Sequence, residues 1–197
     1  MTGMVRKALT IAAGLAVVAS VASAGVPDPR FSTTDLVVVG DLAGNPIAGG
    51  FDVVVRDVNN APLSGRTVTL DFSATPMRVC NVQNAGTTFN CLAKTISRVT
   101  NGSGAVNFAS RVAKYDNSNN VEVSAAGVTL AMVKGRSVDI DGAGTTSGAV
   151  SLGDFILFAA NYNTAAQETD FDVSGSTGLG DFIIFAGAYN STNTYCQ

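Results

Sequence analysis

The sequence predicts a mainly β protein, a β-sandwich followed by a small all-α module, and three observations carry that expectation. Short runs rich in β-branched and aromatic residues recur between residues 26 and 135, with Asn, Gly and Pro turn signals between them. Leu152 to Asn163 (LGDFILFAANYN) is repeated almost unchanged from Leu179 to Asn190 (LGDFIIFAGAYN), an offset of 27 residues from Asp154 to Asp181. Charge divides at the same place: seven acidic and no basic residues lie between Val138 and Gln197, against ten basic and eight acidic in residues 25–137. The expected organisation is a signal peptide at 1–24, a sandwich at 25–136, a repeat module at 137–190 and a tail at 191–197.

At the start, Arg6 and Lys7 precede an apolar run from Ala8 to Val18, and Ala22-Ser23-Ala24 supplies small residues for cleavage. That pattern reads as a secretory signal, with the mature chain exported and starting near Gly25. The run is too short for a stable membrane span. Strands are expected at Leu36 to Val39, Phe51 to Val58, Thr67 to Phe72, Ala105 to Phe108 and Val121 to Ser124, with turns at Asn59 to Gly65, Thr100 to Gly104 and Asp116 to Asn120. Several short strands without a helical period between them argue for a sandwich. There is no Trp, so the antibody-type core is excluded.

Export permits disulfides. Of the three cysteines, Cys80 and Cys91 sit close together within one candidate hairpin, and a Cys80–Cys91 bridge is the natural pairing. Cys196 is left over, either free or available to crosslink subunits. Without histidine or a C-x-x-C pair a zinc site is not expected.

Upstream of the second repeat lies Asp170-Phe171-Asp172-Val173-Ser174-Gly175-Ser176-Thr177-Gly178-Leu179-Gly180-Asp181. Oxygen-bearing side chains occupy positions 1, 3 and 5, a glycine position 6 and a carboxylate position 12. That alternation suits a hard cation needing six to eight oxygens at about 2.3–2.6 Å. The glycine serves the sharp turn, and the last acid opens a helix, where the macrodipole favours negative charge. A duplicated twelve-residue loop ending in Asp, followed by one apolar helix ending near Tyr, resembles the dockerin module. Dockerins are paired EF-hand-like loop–helix repeats that fold on calcium and plug into cohesin domains. The resemblance spans roughly Val138 to Asn190. It implies calcium ligands at Asp170, Asp172, Ser174 and Asp181, with the Ser176 carbonyl at position 7. The first loop, Asp139 to Asp154, is four residues longer. Aligned at its ends it offers Asp139, Asp141 and Asp154, with Ser147, Ala149 and Ser151 near positions 5, 7 and 9. Positions 10 and 11 are Leu-Gly in both copies, where the family usually carries Ser-Thr for cohesin recognition.

The segment from Phe51 to Leu70 and the later Thr100 to Phe108 (TNGSGAVNF) resemble strands and turns of bacterial Ig-like domains, which serve as spacers and adhesive modules of exported proteins. That resemblance implies an Ig-like sandwich and says little about a ligand.

In each repeat helix three aromatic residues share one face: Phe155, Phe158 and Tyr162, then Phe182, Phe185 and Tyr189. Ile156, Leu157, Ile183 and Ile184 extend the apolar surface, and neither helix carries Lys, Arg or Glu after its opening Asp. A module of this size cannot bury two such helices alone, so Phe155, Ile156, Phe158, Tyr162, Phe182, Ile183, Phe185 and Tyr189 are expected to form a protein interface. The absence of His excludes Ser-His and Cys-His catalysis, and no phosphate-cradling glycine loop occurs. The acidic C-terminal part argues against nucleic acid or an anionic membrane as partner. The expectation is a non-catalytic secreted, extracellular or cell-surface protein that polymerises head to tail, its calcium module docking on the sandwich of the next subunit. The other reading is a calcium-dependent anchor for a separate cohesin-type surface protein.

Overall fold

The computed structural model describes residues 25–144 and 146–196; the expected signal peptide lies outside the described residues. In chain order the strands are β1 (Thr33–Thr34), β2 (Val37–Gly40), β3 (Phe51–Val54), β4 (Thr67–Asp71), β5 (Arg78–Val79), β6 (Thr88–Asn90), β7 (Thr95–Val99), β8 (Ala105–Phe108), β9 (Val112–Ala113), β10 (Asp116–Ala125), β11 (Val128–Ser137), β12 (Ser147–Ala149) and β13 (Thr192–Thr194). Helices α1 (Leu152–Asn161) and α2 (Leu179–Ala188) follow β12. The protein is mainly β.

Period-two patterning builds the sheets. In β3, β4 and β8 the residues Phe51, Val53, Val68, Leu70, Val106 and Phe108 are buried while their neighbours are not. A six-stranded sheet runs β2-β11-β10-β4-β7-β6 and a three-stranded one β1-β3-β8. Pairing is antiparallel except between β2 and β11. Side chains from both sheets, among them Phe51, Val53, Leu70, Ile96, Phe108 and Val123, fill one core. This arrangement is compatible with a β-sandwich.

Two expectations about the strands need correction. Asp116 to Asn120 is no turn but the start of β10, and the register shifts between Asp116 and Val121. The polar run reads as a turn locally, yet Asp116 pairs with Gly135 and Asn119 takes a left-handed φ of 55°, so the irregularity is absorbed as a bulge. The ladder of β3 ends at Val54 rather than continuing to Val58, because the Asp57 carboxylate accepts from the Asn59 and Ala61 N–H groups and turns the chain.

β2 joins the two halves of the molecule. Its side chains alternate, so Val38 enters the inter-sheet core while Val37 and Val39 enter a second core on the opposite face. That second core gathers Leu42, Ile47, Val138, Ile140 and Val150 with Phe158 of α1, Phe171 and Phe185 of α2. Phe158 stacks on Phe171 at 6.1 Å and on Phe185 at 5.3 Å between ring centroids. Each such ring removed from water stabilises the packing by roughly 2–3 kcal/mol. The helices therefore complete a core that the β-structure begins.

The expected Cys80–Cys91 bridge is also overturned: Cys91 pairs with Cys196 across 105 residues, and Cys80 is a free, fully buried thiol. The cause is the path of the tail. β13 pairs with β12, and the Cys196 N–H donates to the Val79 carbonyl, which brings the last cysteine beside the hairpin loop. Cys80 instead points into the second core, where burial raises its thiol to about 12.

Candidate metal centres

Each helix of the repeat opens on the same local device. Ser151 and Gly178 are extended N-cap residues, and the acid three residues later turns back on them. Asp154 accepts from the Ser151 N–H at 2.8 Å and from the Ile140 N–H at 2.7 Å; Asp181 accepts from the Gly178 N–H at 2.7 Å and from the Asp172 N–H at 3.0 Å. The last acid of each loop thus ties the helix start to the loop start. Each helix ends at a tyrosine in extended conformation, Tyr162 or Tyr189, before an Asn with φ near 60°.

Carboxylates converge at both helix starts. Asp139, Asp141 and Asp154 form one group and Asp170, Asp172 and Asp181 the other, with one oxygen from each residue within 4.8 Å of its partners. Two oxygens on a shared Ca²⁺ at 2.3–2.6 Å lie at most about 5 Å apart, so the spacing fits one ion. The donors are all hard oxygens, without nitrogen or sulfur, which matches calcium or magnesium better than zinc. The glycine before each acid makes room: a side chain at Gly153 would meet Asp141 Oδ2 at 2.7 Å, and one at Gly180 would collide with Asp172 Oδ2. This accounts for the glycine shared at position 11.

The loops differ in what holds their first acid. Asp139, fully buried, accepts from the Gly142 N–H at 3.0 Å and from the Tyr195 hydroxyl at 2.5 Å. Burial raises its carboxyl to about 7, against the opposing pull of the Tyr195 hydrogen bond. Burial raises Asp154 and Tyr195 too. Asp170 accepts from the Ser174 and Gly175 N–H groups at 2.9 and 3.2 Å, and Gly175 reaches this geometry with a φ of 98°. It is also ion-paired with Arg136 of β11 at 3.1 Å, both side chains buried, and the same guanidinium donates to the Asp170 carbonyl.

Of the remaining expected ligands, Ser174 and Ser176 are exposed, and the Ser174 hydroxyl donates to the Ser176 carbonyl at 3.2 Å. In the first loop, which is four residues longer, the expected positions Ser147 and Ala149 lie in β12 and pair with Thr194 and Thr192, and Ser151 caps α1. Sequence reasoning missed Arg136 and Tyr195. Neither lies in a loop pattern, and no local signal marks them.

The helix face also divides. Phe158 and Phe185, expected at the interface, are instead buried in the second core, where Phe158 stacks on both Phe171 and Phe185. Phe155, Ile156, Tyr162, Phe182, Ile183 and Tyr189 remain exposed. Repeat-related residues are exposed alike, with Ile156 at 60% and Ile183 at 64%. Two shallow apolar grooves of about 430 and 470 Å³ flank the helix pair. Leu152, Phe155, Phe182, Phe185, Ala186 and Tyr189 line one; their repeat equivalents Leu179, Phe182, Phe155, Phe158, Ala159 and Tyr162 line the other. The face has an internal two-fold character. Among the described residues no helix is long and apolar enough to cross a membrane. Compared with models of protein families, with curated proteins and with solved structures, the chain shows no match.

Proposed function

We propose that this is a non-catalytic, exported structural protein that self-assembles outside the cell. In this reading an Ig-like sandwich carries a dockerin-like calcium module, and the helix face of one subunit docks on the sandwich of the next. The observation that carries it is the exposed, two-fold-like apolar face on helices whose starts are held by two carboxylate clusters. Apolar surface of this extent marks an interface. Exposed Leu36, Leu92 and Val99 on the β-structure offer apolar sites for the same chain to meet. A contact between unlike faces of identical subunits is heterologous and propagates into a filament or tube. The Cys91–Cys196 disulfide suits an oxidising compartment.

Calcium's part is to order the helices. Three carboxylates within one ion's reach repel each other until a cation joins them, so binding and ordering of the module are coupled. Asp170→Ala or Asp181→Ala lowers calcium affinity and melts the helices while the β-sheets stay folded; circular dichroism identical to wild type with and without calcium would reject the loop assignment. Negative-stain electron microscopy of the mature chain tests assembly. Filaments that dissolve on chelation and fail to form in Ile156→Lys/Ile183→Lys support it. Monodisperse particles in both conditions favour a separate cohesin-type partner.

A further inference from the structure

The first loop, four residues longer than the second, contains the three-residue strand β12, and that strand needs a partner. β12 finds it in the C-terminal tail: Ser147 pairs with Thr194, Gly148 with Asn193 and Ala149 with Thr192. The ladder is continued by Val150 N–H to the Ser191 carbonyl at 3.0 Å and by Tyr195 N–H to the Thr146 carbonyl at 2.8 Å. On its other side the tail is fastened to the β-structure. Asn81 N–H donates to the Thr194 carbonyl at 3.0 Å, Cys196 N–H donates to the Val79 carbonyl at 2.9 Å, and Tyr195 bridges to Cys80. The disulfide from Cys196 to Cys91 makes this attachment covalent.

Between these two attachments the Tyr195 side chain turns inward. Its ring is buried and lies against the Arg78 guanidinium at 5.0 Å, and its hydroxyl donates to Asp139 Oδ2. Gly148 lets the β12 backbone lie against that pair, since a side chain there would collide with both the Tyr195 hydroxyl and Asp139. The second loop, four residues shorter, has no counterpart of the ladder among the described residues.

We infer that the tail is a latch which the Cys91–Cys196 disulfide locks across the first loop, with Tyr195 as the positioning residue of that loop's cation site. The positioning part rests on the calcium reading of the preceding subsection; the latch itself does not. A donor on one carboxylate oxygen orients the other toward the ion, as outer-shell partners do at metal sites generally. Tail release would cost the loop both its strand partner and this orientation.

Two full-length variants test it: Cys91→Ser/Cys196→Ser, which leaves no new unpaired thiol, and Tyr195→Phe, which removes a hydroxyl and keeps the ring. Amide hydrogen exchange in the presence of a chelator reads the latch without any metal. The double variant is expected to lose protection at Ser147–Ala149 by at least about tenfold, whereas Tyr195→Phe keeps it. Calorimetric titration with terbium and with calcium reads the cation site. Both variants are expected to weaken one of two binding steps by about tenfold, in the range of outer-shell effects, and to leave the other unchanged. Unchanged exchange in the double variant overturns the latch. Two unchanged binding steps in Tyr195→Phe overturn the positioning role. A wild-type chain that binds no terbium or calcium overturns the calcium reading and the positioning role together, while the exchange result still decides the latch.

Discussion

The two acidic loops are near-copies in sequence and unlike in setting. Both close on an aspartate that caps a helix, and both leave room for their third-position acid by placing glycine before that cap. Yet the first acid of loop two sits against the buried guanidinium of Arg136, whereas that of loop one accepts from the neutral hydroxyl of Tyr195. One loop carries part of its counter-charge within the fold; the other depends on burial, neutralisation or an added cation. A repeat duplicated in the chain becomes inequivalent once each copy meets a different part of the β-structure.

The largest expected effect comes from removing the internal cation. Arg136→Met leaves Asp170 buried without its partner and should destabilise the metal-free chain by about 3–5 kcal/mol. Calcium should recover much of that loss and bind loop two more tightly, since it no longer competes with a guanidinium. Denaturant unfolding with and without calcium checks both halves. A variant as stable as wild type under chelation would mean that the two loops are not distinguished by this pair.

Next is pH. In the metal-free chain burial makes Asp139 hold its proton up to about 7, well above the usual carboxylate range. The folded state therefore binds more protons than the unfolded one across that window, and stability falls as pH rises from about 4 to about 7, by roughly 3 kcal/mol. Asp154 is shifted the same way and adds to the slope. Asp139→Asn should flatten the curve, while Arg136→Met should leave the Asp139 part of it in place. Thermal melts across pH in chelator would show it, and a wild-type melt that rises through this window would contradict the assignment.

The smallest effect separates the helix from its site. Gly180→Ala gains about 1 kcal/mol of helix propensity but pushes the Asp172 carboxylate aside. Calorimetric titration is expected to show calcium binding weakened severalfold, with metal-free stability unchanged or higher. Equal affinity in the variant would show that Asp172 is not drawn into the loop-two cluster.

Patterns confined to a dozen residues were legible in the chain itself. The Asp spacing of each loop, the helices that follow them and the alternating strands of the β-structure are all local, because turns, caps and strand faces are set by near neighbours. The bulge at Asp116 misled for the same reason: its residues favour a turn, and only pairing with β11 makes them a strand. Phe158 and Phe185 read as part of one uniform apolar surface, but in the fold they are buried in the second core that also holds Val37, Val39 and Phe171.

What the sequence by itself determined is thus a mainly β chain with two acidic loop–helix copies at its end. The tertiary structure decided which cysteines pair, which aromatic residues are left exposed and what stands behind each cluster. Those outcomes depend on contacts spanning 105 residues for Cys91 and Cys196, 56 for Tyr195 and Asp139, and 34 for Arg136 and Asp170. Over such separations no periodicity or spacing constrains a partner. Burying one side of the helices in the second core and threading the tail beside β12 brings these residues together, and their chemistry follows from that encounter.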